Sequence, residues 1–162
     1  MKILALVAGI AGATALAQFP EASTQYVQRL AGAVDELSVV VADFDRSAEV
    51  AGLTRYQALD ELTGTAFLNA RNADMTRTLT RYEALNADLV QLRAAGPIQR
   101  LFLAPARFDT EIGLRTYQDF QPALPVTFSG LSFAAIGFLA GSALVALLSG
   151  LLAHLFRPSR AA

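Results

Sequence analysis

The sequence predicts an all-α fold in which two transmembrane helices flank an antiparallel helical hairpin or three-helix bundle. Three observations carry that expectation. No Asp, Glu, Lys or Arg occurs from Gln121 to Phe156, a gap long enough for a complete membrane span. A second apolar run, Ile3 to Phe19, stands behind a lone Lys2. Between the two, apolar residues recur from Val27 in alternating steps of three and four, the spacing of a packed helix face rather than a strand. At 54% hydrophobic residues and a mean hydropathy of +0.40, the 162-residue chain carries more apolar surface than one soluble core uses, and its two ends account for the excess.

Residues 1–19 form the first predicted span. Ala5, Gly9, Ala13 and Ala17 repeat at four-residue spacing, a small-residue stripe of the kind that lets membrane helices approach closely. The same stretch also fits a secretory signal peptide, with Lys2 as its charged start and Ala15-Leu16-Ala17 as its cleavage site. Both readings place the following residues on the same side of the membrane.

Residues 20–121 are predicted to form a helical domain. Pro20 and Glu21 suit a helix start, with a kink from the first span at Phe19-Pro20. The seam Val27, Leu30, Val34, Leu37, Val41, Phe44, Ala48 and Ala51 covers three and a half heptads, and a helix from Glu21 to Ala51 would be about 45 Å long. Gly52 follows as a C-terminal cap, and Thr54 with Gln57 makes a capping box for the next helix. The return limb carries Leu59, Leu62, Phe67, Met75, Leu79, Tyr82, Leu85, Leu89 and Leu92, with a polar interruption at Asn69 to Asp74 expected to break or kink it. Gly96-Pro97 ends that limb. A short helix from Pro97 to about Ala104 should follow, then one capped by Asp109 that carries Ile112, Tyr117 and Phe120 back towards the membrane.

Residues 122–156 form the second span, followed by a tail at 157–162. A helix from Leu131 to Leu152 would rise about 33 Å, enough for a hydrocarbon core of about 30 Å. Pro122 and Pro125 mark its entry, and Phe120 and Phe128 fall where an interfacial aromatic belt is expected. Gly137 and Gly141 stand at GxxxG spacing, and Ser142, Ala146 and Gly150 form an adjoining four-residue stripe. These stripes provide a packing face for the partner span, for a second copy or for a larger membrane protein.

Charge orients the chain. All 14 acidic residues and ten of the 13 basic ones lie between Glu21 and Asp119, a net of -4, while Lys2, Arg157 and Arg160 close the outer flanks with positive charge alone. By the positive-inside rule both termini face the cytoplasm and the middle segment faces away from it. In a bacterial inner membrane that compartment is the periplasm.

The stretch LAQFPEASTQYVQRLAGAVDEL, the turn GLTRYQAL, the segments RYEALNADLVQL and GPIQRL, and DFQPALPVTFSGLSFAAIGFLAG resemble the bacterial membrane family catalogued as domain of unknown function 2937. The resemblance covers nearly the whole chain in order. It implies a bacterial membrane protein whose N-terminal span is retained, and it supplies neither an activity nor catalytic residues.

The chemistry available is narrow. There is no cysteine and a single histidine, so disulfides, thiolate catalysis and the usual zinc sets are excluded and no cofactor is expected. His154, three residues before Arg157 near the end of the second span, reads as a headgroup-level residue rather than a haem ligand, since no second ligand is placed for it. The acidic pairs Asp35-Glu36, Asp43-Asp45 and Asp60-Glu61 alternate with arginines along predicted helices, which describes a solvated face and not a calcium loop or a glycosidase pair. Arg100 and Arg107, with Arg157 and Arg160, are the candidates for contact with lipid headgroups. An acidic domain outside the cytoplasm does not suit nucleic acid. The expected partners are the lipid bilayer and either other membrane subunits or a second copy. The function these features favour is a non-enzymatic accessory, scaffold or assembly subunit. The alternative is an envelope enzyme or small-ligand binder directed at lipid or peptidoglycan.

Overall fold

A computed structural model describes residues 2–123 and 126–155, the last three of these for their backbone alone. The described residues form helices and no strand: α1 (Lys2–Ala17), α2 (Phe19–Val50), α3 (Arg55–Glu61), α4 (Ala66–Ala94), α5 (Pro97–Arg107), α6 (Thr110–Gln118) and α7 (Phe128–Leu155). They divide into two compact units, one built from the chain through Thr24 and from Asp119 onwards, the other from Gln25–Gln118. Two helices are long and apolar enough to cross a membrane, the one beginning at Lys2 and α7.

In the first unit α1 and α7 pack antiparallel. Ala5 meets Ser142, Ala8 meets Gly141, and Gly12 meets Gly137, while Phe19 stacks on Phe133 with ring centroids 5.2 Å apart. Phe133 is 1% exposed and anchors this end of the pair. The break between α1 and α2 falls at Gln18, one residue before the expected kink. Pro20 then occupies the second position of α2, where its missing N–H leaves no intrahelical bond unmade. The Gln18 side chain donates to the carbonyl of Ala123 and accepts from its N–H, both at 3.1 Å, so one amide satisfies a full peptide group of the segment entering α7.

The second unit is organised on α2 and α4. Tyr26, Val27, Leu30, Ala31 and Val34 bury against Leu85, Leu89, Leu92 and Ile112, and Val41 buries with Met75 and Leu79. Early residues of α2 thus meet late residues of α4, so the two helices run antiparallel. Gly52, at φ +73°, closes α2 in the left-handed conformation that glycine adopts without strain. The capping box forms: Thr54 N–H donates to Gln57 Oε1 at 2.9 Å, and Gln57 N–H returns to Thr54 Oγ1 at 3.4 Å.

Three expectations need correction. α4 runs unbroken through Asn69 to Asp74; the interruption lies earlier, at 62–65, where Gly64 sits at φ +98° and Thr65 caps the new helix. The polar stretch stays helical because its groups are satisfied: Asp74 pairs with Arg71 and Arg77, and the Asn72 side chain donates to the Leu59 carbonyl of α3 at 2.6 Å. α5 extends to Arg107 with Pro105 inside it. In α6, Asp109 caps Ile112 N–H at 2.9 Å and Ile112 is buried, but Tyr117 is 80% exposed. The buried positions are Ile112 and Thr116, one helical turn apart, with Gly113 beside them; Tyr117, about 140° around the helix from Ile112, faces outward.

Candidate functional site

The candidate sites among the described residues are a close helix contact and a charged groove. The first is the α1–α7 contact. A Cβ on Gly12 would collide with the Gly137 carbonyl oxygen, one on Gly137 with the Gly12 carbonyl, and one on Gly141 with the Ala8 carbonyl. The backbones are therefore close enough for carbonyl oxygens to occupy side-chain space, a distance only glycine permits. Ser142 Oγ donates to the Ala5 carbonyl at 3.1 Å and adds a polar tie inside this contact.

The second is a groove of about 400 Å³ in the Gln25–Gln118 unit, lined by Arg77, Thr80, Arg81, Leu85, Asp88, Arg107, Phe108 and Asp109 among others. Its charges are matched locally. Arg81 reaches Asp109 at 3.2 Å and Glu111 at 3.1 Å, Arg107 reaches Asp88 at 3.0 Å, and Arg77 pairs with Asp74. Behind it, Tyr26 Oη accepts from Asp109 N–H at 2.8 Å and donates to the Arg107 carbonyl at 3.3 Å. Phe108 stacks on the Tyr26 ring with centroids 5.2 Å apart and fills the space a Cβ on Gly113 would need. Burial pushes the Tyr26 phenol above its usual value of 10.0, so it stays protonated and keeps donating at neutral pH.

The model of the family described as "Protein of unknown function (DUF2937)" matches residues 1–158. The chain belongs to the DUF2937 family. No curated protein and no solved structure matches it.

In this DUF2937 chain the small-residue stripes are only partly used as the sequence arranged them. Gly9, Gly137 and Ala17 are buried, Ala5, Ala13, Gly141 and Ser142 are half-buried, and Ala146 and Gly150 are exposed, with open space around Gly150. A four-residue step advances 400° around a helix and drifts 40° each time. The contact face takes in Ala5, Gly9 and Ala17 of the first stripe together with Ala8, Gly12 and Leu16, and Gly12 is the residue the stripe passes over. On α7, only residues 2–4 of α1 remain beyond the Ala5–Ser142 contact to face Ala146 and Gly150.

The seam residues Val27, Leu30, Val34 and Val41 are buried, and Leu37 and Phe44 pack against the same cores. Arg107 is engaged by Asp88, and Arg100 Nε donates to the Leu92 carbonyl at 2.9 Å. Arg157, Arg160, Pro125 and the side chain of His154 lie outside the described residues. Among the described residues no group of three or more His, Cys, Asp or Glu is placed to hold a metal ion.

Proposed function

We propose that this DUF2937 protein is a non-enzymatic inner-membrane accessory, scaffold or assembly subunit, with both termini cytoplasmic and the Gln25–Gln118 unit a periplasmic helical hairpin. The observation that carries the reading is the local matching of charge in the groove: Arg77, Arg81 and Arg107 each spend their guanidinium on a carboxylate of the same unit. Binding an anionic substrate there would require breaking such pairs. The Arg81 and Arg107 pairs join α4 to the start of α6 and to α5, so this charge ties helices together, as the contacts of α1 with α7 do. The lone cations Lys2, Arg157 and Arg160 beyond the apolar segments support the orientation.

Gentle extraction from the native membrane, followed by mass spectrometry of co-purifying proteins, tests the role. The reading expects a reproducible membrane partner in near-stoichiometric amount. Recovery of the protein alone, as a stable homo-oligomer, counts against it. Single cysteines introduced into this cysteine-free chain test the topology. A membrane-impermeant maleimide added to intact cells with a permeabilised outer membrane should label Ala73→Cys and leave a cysteine at residue 2 unlabelled.

The groove supports a second reading, an envelope small-ligand binder, because its volume lies within the range of ligand sites. Arg81→Ala would then abolish ligand binding while leaving partner recovery unchanged.

A further inference from the structure

α5 is amphipathic in the wrong sense for a helix of a water-soluble domain. None of its residues is buried. Ile98, Leu101 and Phe102 are 52%, 40% and 78% exposed, and Pro105 is exposed beside them. At 100° per residue these four fall within one arc of about 100°. The polar residues turn the other way: Arg100 to the Leu92 carbonyl and Arg107 to Asp88, both on α4. Leu103 packs inward against the α2–α4 core, but a helix that directs its arginines inward and Ile98, Leu101, Phe102 and Pro105 outward needs a cover for the outer face.

Chain connectivity says what that cover is. The end of α5 is bonded through the Arg107 carbonyl to Tyr26, which lies seven residues into α2 from Phe19, about 10 Å of helix rise. On the other side, α6 is followed only by residues 119–127 before α7, a tether of at most about 30 Å. α5 is thus held near the start of α2, which follows the first apolar span, and α6 directly after it is tethered to the second. The exposed apolar residues at the opposite end of α2, Val50 among them, lie 33 residues beyond Ala17 and have no such tie. Arg93, near the end of α4 and four residues before α5 begins, is exposed and forms no ion pair among the described residues, which leaves a cationic group near the start of α5 where an anionic headgroup would be met.

We propose that α5 lies in the interface of the bilayer that α1 and α7 cross, with Ile98, Leu101, Phe102 and Pro105 seated at the boundary between headgroups and acyl chains. The occupant of the exposed face is lipid. This inference rests on the reading that α7 spans the membrane, and its test separates the two.

Single-cysteine variants Ile98→Cys, Phe102→Cys, Ala73→Cys and Leu139→Cys are spin-labelled in the full chain. They are reconstituted in vesicles of phosphatidylethanolamine and phosphatidylglycerol, and circular dichroism checks that each keeps its helix content. Accessibility to oxygen, which partitions into lipid, is compared with accessibility to a water-soluble nickel chelate. Labels at 98 and 102 are expected to show an oxygen-to-nickel ratio several-fold above Ala73, on the outer face of α4, and below Leu139, which is 68% exposed on α7. Position 98 replaces 102 if Phe102→Cys does not fold. Nickel accessibility at 98 and 102 equal to that at 73, with 139 in lipid, overturns the inference and leaves the span intact. Immobilised labels shielded from both reagents overturn it in favour of a protein partner or a second copy. Water exposure at 139 removes the membrane-span reading, and this inference with it.

Discussion

Glycines at different backbone angles respond oppositely to the same substitution. Gly52 sits at φ +73° with nothing within 4 Å of where a Cβ would stand, so Gly52→Ala meets no steric neighbour and pays only for the left-handed backbone. Gly32 lies inside α2, also in open space, but in ordinary helical geometry. Gly52→Ala should destabilise the Gln25–Gln118 unit by about 1 kcal/mol, and Gly32→Ala should stabilise it by roughly 0.5–1 kcal/mol. Urea titration of the two variants checks the signs. Gly52 was legible because it follows the last seam residue and precedes a capping box. Gly12 is not legible in the same way, because it falls between members of the four-residue stripe and joins the contact only through the wider face of a 3.6-residue helix.

Ion pairing joins three helices at the turn of the second unit. Arg55 on α3 grips Asp45 on α2 with two hydrogen bonds, 2.7 and 2.6 Å, and approaches Glu83 on α4 at 3.9 Å. The hydrogen bonds from Arg55 hold the Asp45 carboxyl below its usual 3.8. A carboxyl depressed on folding contributes stability that is present above its unfolded value and is lost as pH falls through the folded one. Asp45→Asn should therefore cost about 0.5–1 kcal/mol at pH 7, discounted for a pair that is one-third exposed. The difference from the unmodified chain should shrink below about pH 4. Denaturant midpoints at pH 7 and pH 3 test this, and equal differences at both pH values would remove the pair as their cause.

The α1–α7 contact belongs to the same scale. Gly12→Ala and Gly137→Ala each drive a Cβ into a backbone carbonyl that cannot rotate away, so the helices must separate, a cost of about 1–3 kcal/mol. Gly150→Ala meets nothing and should be silent. A disulfide between Ala5→Cys and Ser142→Cys provides the measurement: its yield should fall with Gly12→Ala and hold with Gly150→Ala.

At the scale of the whole molecule, the division into two separately packed units has an optical consequence. The chain has no tryptophan, and its four tyrosines, Tyr26, Tyr56, Tyr82 and Tyr117, all lie in the Gln25–Gln118 unit. Tyrosine emission therefore reports that unit alone. In detergent, urea should change the tyrosine emission in one cooperative transition while far-ultraviolet dichroism retains the helicity of α1 and α7, since backbone bonds shielded from water have no competing partner. Loss of both signals at one midpoint would mean that the two units unfold as one.

What the sequence determined by itself is the all-helical class, the two apolar spans, the seam on α2 and the caps at Gly52, Thr54 and Asp109. Each follows from interactions within a few residues along the chain: periodicity against one neighbouring surface, a side chain capping the N–H three positions on, or uninterrupted apolarity. Tertiary structure alone decided which members of the small-residue stripes touch, that Arg107 and Arg100 turn onto α4, and that α5 faces its apolar side outward. Those outcomes depend on what stands opposite each helix. An amphipathic pattern fixes that a helix has two faces; only packing selects which of them is buried.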